Sequence, residues 1–380
     1  MARAMLSAAT LAALASTAVG ALASSPAQRT IRAAASFTNV VFATGTSIMH
    51  ATPKGRQALS APDDITYLDG HIFVGFQNGV GPQGQASPTG DTDSTIVEFS
   101  QSGQVVGQWD IVGKCDGLTA DPQTGRLIAT VNEDANSSAW LIAPVAGSAP
   151  VHYHYSQQPL PSHGGTDAIS IYDGIVLISA SAPGTSGAAA PQAAYPAVYS
   201  VTFDAATRIA AVHPLFSDEA SAGVANTAGH GKRVALALTD PDSNEDVPAY
   251  APRFAGDFML TSQGDKEQIF VAHAGTAQQA LSVLKISDSV DDTAWPADGS
   301  GTLYATDNGN DTINRITGPF ARGSVLVAVT PCDANGAPAT CPGPGFPANY
   351  LGTLNPDTGA ITPVSVSGPA AAVQGMLFVP

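Results

Sequence analysis

One phrase recurs along the chain, and it constrains the fold more than any other feature. "PDDITYLDGHIFVGF" (62–76), "KCDGLTADPQTGRLIATV" (114–131) and "GTDAISIYDGIVLISA" (165–180) share a plan. Each runs from aspartate through a short strand and a turn into an apolar strand opened by glycine. The second half returns at Gly231, Lys266, Gly301 and Gly375; counted from Gly70, the spacings run 55, 49 and 57, then 35 twice, then 74. Hairpin patterns lie at 95–111, 197–216 and 350–366, the last around Pro-Asp-Thr-Gly. Strand, turn, strand and hairpin make a four-stranded antiparallel sheet. Such sheets repeated at about 40–50 residues are the signature of a β-propeller. The expected fold is all-β, a single propeller over 24–380. It has seven blades if every anchor marks one, and six if those at Gly231 and Lys266 share a blade. The long last spacing leaves room for an insertion or a further unit. The final "AAVQGMLFVP" reads as the inner half of a blade whose outer strands come from 39–52, so pairing of the terminal segments closes the ring and removes exposed edges. A β-sandwich or two stacked barrels is the competing architecture.

Composition supports an all-β reading. The chain has 44% hydrophobic but 12% charged residues, against about 25% charged in an average domain. Its 38 glycines and 28 prolines supply turns. The formal net charge of −16 repels phosphate backbones, so nucleic acid is not an expected partner, and cations or cationic ligands fit better. "MARAM", a small-residue apolar stretch and Ala21-Leu22-Ala23 read as a secretory signal peptide over 1–23. The mature chain is therefore expected to be exported, extracellular, not membrane-spanning and monomeric. In that setting Cys332 and Cys341, flanking "DANGAPAT", are expected to form a disulfide. Cys115 is left over and reads as a small buried hydrophobe.

"CDGLTADPQTGRLIAT" and "DDTAWPADGSGTLYATD" resemble the blade-start phrase of NHL-like and SMP-30/gluconolactonase-like propellers, over most of the mature chain. The resemblance implies a propeller fold, and a group that includes calcium- or zinc-dependent lactonases, lyases and binding modules. The lactonase branch carries a metal-ligating Glu in an early E-G-P phrase; this chain has "SAPDDI" there.

The repeated aspartate gives the candidate site. If the phrases are equivalent, Asp64, Asp116, Asp167 and Asp292 each open an inner strand and meet at one end of the central channel. Carboxylates crowded in a narrow mouth raise one another's pKa or demand a cation. An acid/base or metal-assisted site there would use Asp116, Asp167 and His163, with Asp64, Asp292, Asn132 and Glu133 as ligand-binding groups. The structural alternative is that each aspartate accepts backbone N–H bonds and ties one blade to the next. "TDPDSNED" places Asp240, Asp242, Asn244 and Asp246 at alternate positions, like the first half of an oxygen-ligand calcium loop, so calcium or another divalent cation is the expected cofactor if there is one. In "VHYHY", His152 and His154 share one strand face. "GVGPQG" is followed by "QASP" rather than a helix, so no nucleotide cofactor is expected. The functional expectation is a small molecule, sugar or peptide bound at the acidic mouth. A metal-dependent lactonase-like hydrolase and a cell-envelope protein scaffold are the alternatives.

Overall fold

Runs such as "HIFVGF" and "VLVAV" lack polar alternation because their strands are covered on both faces. In Phe258–Ser262, Phe258 and Leu260 pack into one hydrophobic cluster while Met259 packs into the next. The computed structural model describes residues 36–183 and 194–380 of the chain, so the leader at 1–23 and most of the 182–196 loop lie outside the described residues.

The strands form sheets of five, eight, six, two, four and four strands. Counted from six inner strands, they group as blades of four, with two blades joined edge to edge through Val151–Tyr155 and Ile209–Ser217 and extra outer strands on the five- and six-stranded sheets. The inner strands are Pro62–Leu68, Cys115–Asp121, Ile169–Tyr172, Pro241–Asp246, Val290–Ala294 and Met376–Val379. Each touches the next, and Met376–Val379 touches Pro62–Leu68, so the inner strands form a closed ring. Six hydrophobic clusters of buried residues lie between consecutive blades, one at each junction. The propeller expectation is borne out. Three single-turn 3₁₀ segments are the helical content among the described residues, and no helix among them is long and apolar enough to cross a membrane.

The anchors at Gly231 and Lys266 do share a sheet. Arg233–Ala235 is an outer strand and Glu267–Ala272 a middle strand of the fourth blade. The 74-residue interval holds the remaining strands of the fifth blade, Val325–Val329, Tyr350–Leu354 and Ile361–Pro363. Blades five and six interlock. After the inner strand Val290–Ala294, the chain crosses to form Thr302–Asp307 and Thr312–Thr317 of blade six, then returns to complete blade five. Closure uses both ends of the domain, with Met376–Val379 innermost and Phe37–Thr44 outside. These two do not pair directly, because Thr302–Asp307 and Thr312–Thr317 lie between them. The residues after Thr44 form a small separate hairpin, Met49–Thr52 with Gly55–Ala58.

The predicted hairpins form as Asp93–Phe99 with Val105–Val112, Pro196–Asp204 with Ile209–Ser217, and Tyr350–Leu354 with Ile361–Pro363. Val151–Tyr155 alternates as expected, with Tyr153 and Tyr155 buried and His152 stacked on Trp140 at 4.3 Å. Cys332 and Cys341 are disulfide-bonded, with Cα atoms 5.5 Å apart.

At the closure, Asn39 Nδ2 donates to Asn314 Oδ1 at 2.9 Å and to Pro369 O at 3.0 Å. Both asparagines are buried. Asn39→Ala leaves the buried Asn314 Oδ1 without this donor and is expected to cost about 1–3 kcal/mol. Urea unfolding measures this; an unchanged midpoint would show that the closure does not depend on the bond.

Candidate functional site

Four of the six inner strands carry a register shift at their first residues. It falls between Pro62 and Ile65, between Cys115 and Gly117, between Pro241 and Asn244, and between Val290 and Thr293. Side chains of successive strand residues normally point to opposite faces. A bulge sets two residues against one and re-aims them. Asp63 with Asp64, and Asp291 with Asp292, therefore all line the channel mouth despite being sequence neighbours. Asp116 and Asp242 occupy the two other bulges. Gly117 follows Asp116 because nothing larger fits: a Cβ there would lie 2.3 Å from Thr130 Oγ1 and 2.4 Å from the Asp167 carbonyl oxygen of the next blade.

The mouth is a cavity of about 540 Å³. Seven aspartates from the inner strands and their leading residues line it, joined by Glu133 and Asp333. Among the described residues, Lys114 is the one Lys, Arg or His in the lining. Its Nζ lies 2.7 Å from Asp116 Oδ1 and pairs with Glu133 as well. Burial disfavours this ammonium, but Asp116, Glu133 and Asp63 outweigh that and push its pKa up. Asn132, in the left-handed region at φ 70°, holds Lys114 in place by accepting from its backbone N–H at 3.0 Å. The loop carrying the Cys332–Cys341 disulfide contributes Cys332, Asp333 and Pro342 to the wall.

One lysine cannot neutralise this many acids. Burial is the largest cause raising the carboxyl pKa values, and neighbouring carboxylates add to it. Asp63 and Asp292 are pushed up to about 7. Asp64, Asp116, Asp167, Asp242 and Asp291 lie well above the ordinary carboxylate range. Burial and mutual repulsion therefore shift the ring toward the neutral carboxyl form. Beside burial, the neighbouring charge of Asp167 is the next cause raising the Asp242 carboxyl pKa.

The structure brings Asp64, Asp116, Asp167, Asp292 and Glu133 to this one cavity. Two of the aspartates also act as blade ties. Asp64 Oδ2 accepts from Leu118 N–H of the next blade at 2.8 Å, and Asp292 accepts from Thr293 and Met376 N–H. Asp116 and Asp242 differ, because each keeps a buried Oδ2 with no hydrogen-bond partner among the described residues. Gln77 orients part of the ring, donating to Asp63 at 2.7 Å and to Asp116 at 3.1 Å.

His163 is not brought to the mouth. It sits in a turn at φ 62°, with its ring 5.0 Å from Tyr195, lining a different cavity of about 480 Å³. Gly164 and Gly165 beside it press against the backbone carbonyls of Ser181 and Glu133, which fixes the turn. Asn132 serves the backbone rather than the cavity. The four residues of the calcium-loop pattern do not converge, because they run along a strand. Asp240 accepts from Gly264 N–H, Asp242 lines the mouth, and Asn244 and Asp246 line a second cavity at the other end of the channel. Among the described residues, no group of three or more His, Cys, Asp or Glu side chains is placed to hold a metal ion. Cys115 is buried in the cluster between blades one and two, and burial pushes its thiol pKa up. Asp291 joins the site unanticipated, and the doubled Asp-Asp shared by 63–64 and 291–292 was the available signal.

Protons are held more tightly by Asp63 and Asp292 in the folded chain, near pH 7, than by an unfolded aspartate at about 3.9. The stability they contribute is present below about pH 4 and is lost as the pH rises through 7. The melting temperature is thus expected to fall between pH 5 and pH 8, and Asp63→Asn to raise it at pH 8. Thermal unfolding of both proteins across that range checks this; a melting temperature that rises with pH in the parent and falls in the variant would contradict it.

No family model matches the chain, and no curated protein matches it in sequence. Among solved structures it is similar to a periplasmic gluconolactonase from Pseudomonas aeruginosa, at 14% identity and TM-score 0.47, covering 91% of this chain and 99% of that one. A protein from Lactobacillus plantarum is similar at 10% identity and TM-score 0.43, covering 90% and 100%. A functionally unknown protein from Desulfotomaculum acetoxidans is similar at 10% identity and TM-score 0.43, covering 91% and 99%. At these identities and scores residue roles do not carry over to this chain.

Proposed function

We propose that this chain is a small-molecule binding module whose acidic mouth holds a neutral, polyhydroxylated ligand. The observation that carries this reading is a set of buried, unspent polar atoms. Asp116 Oδ2, Asp242 Oδ2 and Ser243 Oγ have no partner among the described residues, and their residues line the mouth cavity. A buried polar atom left unpaired costs about 1–3 kcal/mol, which a ligand hydroxyl would recover. Neutral carboxyl groups donate as well as accept, as hydroxyl groups do. The volume of about 540 Å³ falls in the usual range for small-molecule pockets. Lys114 is already committed to Asp116 and Glu133, so it is not free to draw an anionic ligand.

A metal-dependent hydrolase of the lactonase kind is the second reading. It is favoured by the same two unpaired aspartate oxygens, which are hard donors suited to calcium. A cation bound among them would displace protons, so its binding would strengthen as pH rises. The neutral-ligand reading predicts the reverse, because ionisation removes the O–H donors.

Calorimetric titration with glucose and glucono-1,5-lactone, at pH 6 and pH 8 and with calcium or chelator, separates the two. The expected result is metal-independent binding, stronger at pH 6, weakened about tenfold by Asp242→Ala. Binding or lactone turnover that requires calcium and improves at pH 8 would move the assignment to the hydrolase. Absence of binding under every condition would end the neutral-ligand reading.

A further inference from the structure

The channel has a second opening, chemically unlike the first. It is a cavity of about 770 Å³, reached along the inner strands past Asp64, Ala168, Ser243 and Asp292, which line both cavities. Among the described residues, no Lys, Arg or His lines it. Its carboxylates include Glu245 and Asp246 of blade four, with Asp121 and Asp173 on the rim turns. Three aromatic residues, Tyr250, Trp295 and Phe378, form part of the wall.

Two further observations point to a ligand here. Asn244 is 3% exposed and Ser170 6% exposed, and both line this cavity. Asn244 Oδ1 and Ser170 Oγ have no hydrogen-bond partner among the described residues. The orientation of Asn244 is fixed by chemistry. Its Nδ2 donates to the Ala168 carbonyl at 2.7 Å, and since only a donor can face a carbonyl, the remaining atom is an acceptor. The cavity therefore offers an unspent amide oxygen, a hydroxyl and carboxylates beside aromatic rings, with no basic side chain in its lining to balance them. A hydrogen-bond donor that carries positive charge on an apolar body satisfies all of these at once.

We propose that this far opening is a second binding site, independent of the mouth, that takes an organic ammonium group attached to an aromatic or aliphatic body. The ammonium sits among Asn244 Oδ1, Ser170 Oγ and the Glu245 carboxyl group, and the body lies against Trp295 and Tyr250. Glu245 is a half-buried carboxyl group whose pKa is raised by desolvation and by the charges of Asp292 and Asp246, which a bound cation would relieve. The inference does not rest on the identity of the mouth ligand.

The test uses phenethylammonium as probe and 2-phenylethanol as its neutral counterpart, titrated calorimetrically into the full chain. The expected result is saturable binding of one phenethylammonium, with the alcohol at least about tenfold weaker. Glu245→Gln, which keeps the shape, should weaken the amine about tenfold, and Asp246→Asn, at the exposed rim, severalfold. Asp116→Asn at the mouth should leave amine affinity unchanged. A fluorescence change on amine binding should disappear in Trp295→Phe. The proposal is overturned if the amine does not bind. It is also overturned if alcohol and amine bind equally, or if Asp116→Asn abolishes binding while Glu245→Gln and Asp246→Asn do not. Because the probe is not a sugar, failure here leaves the reading of the mouth standing, and failure at the mouth leaves this one standing.

Discussion

A break in strand register at the inner edge of the blades is the constraint on which the rest depends. A regular strand would send Asp63 and Asp64 to opposite faces, one of them into the apolar space between blades. The shift between Pro62 and Ile65 lets both face the channel, and the shift between Val290 and Thr293 does the same for Asp291 and Asp292. The cost is electrostatic: acids are gathered with one lysine among them, and burial beside one another raises their pKa values. Part of that cost is offset locally, since Asp64 and Asp292 accept backbone N–H bonds from the neighbouring blade and so link adjacent units. The larger offset is the apolar packing at every blade junction, where both faces of the middle strands are buried. A scaffold of this kind can tolerate a strained, unsatisfied centre, and such centres tend to mark function.

The fold was legible because a propeller writes its repeat into the chain. A turn glycine followed by a strand covered on both faces recurs as an apolar run, and Gly70, Gly125 and Gly174 all mark second strands of blades. The interlocking of blades five and six was not legible. "GTLYATD" follows "DDTAW" as any second strand follows a first, and nothing local states that it joins the neighbouring sheet. That choice is made by pairing with Met376–Val379 and by packing against Leu326 and Ala328, contacts distant in sequence.

The site was legible to a similar depth. The gathering of Asp64, Asp116, Asp167 and Asp292 follows from equivalence of the repeats. The orientation of Asp291 does not, because a bulge breaks the two-residue alternation on which strand reasoning relies. The signal at Asp242 is ambiguous: D-x-D-x-N-x-D is compatible with a calcium loop and equally with a strand, and the pairing of Pro241–Asp246 with Phe258–Ser262 decides for the strand. His163 is near Asp167 in sequence but not in the cavity. A left-handed turn residue followed by two tightly packed glycines sends its ring elsewhere, which composition alone does not reveal.

The two ends of one channel thus differ in kind. The mouth mixes acids with a lysine and side-chain amides, whereas the far end combines acceptors with aromatic walls. At the mouth, burying the carboxyl groups together favours their neutral form. Infrared spectroscopy of the protein in heavy water tests this most directly, since protonated carboxyl groups have a C=O stretch separate from that of carboxylates. The expected result is a protonated-carboxyl band that persists at pH 7 and shrinks in Asp116→Asn and Asp167→Asn. A spectrum at pH 7 showing only carboxylate, in protein free of bound cations, would contradict it.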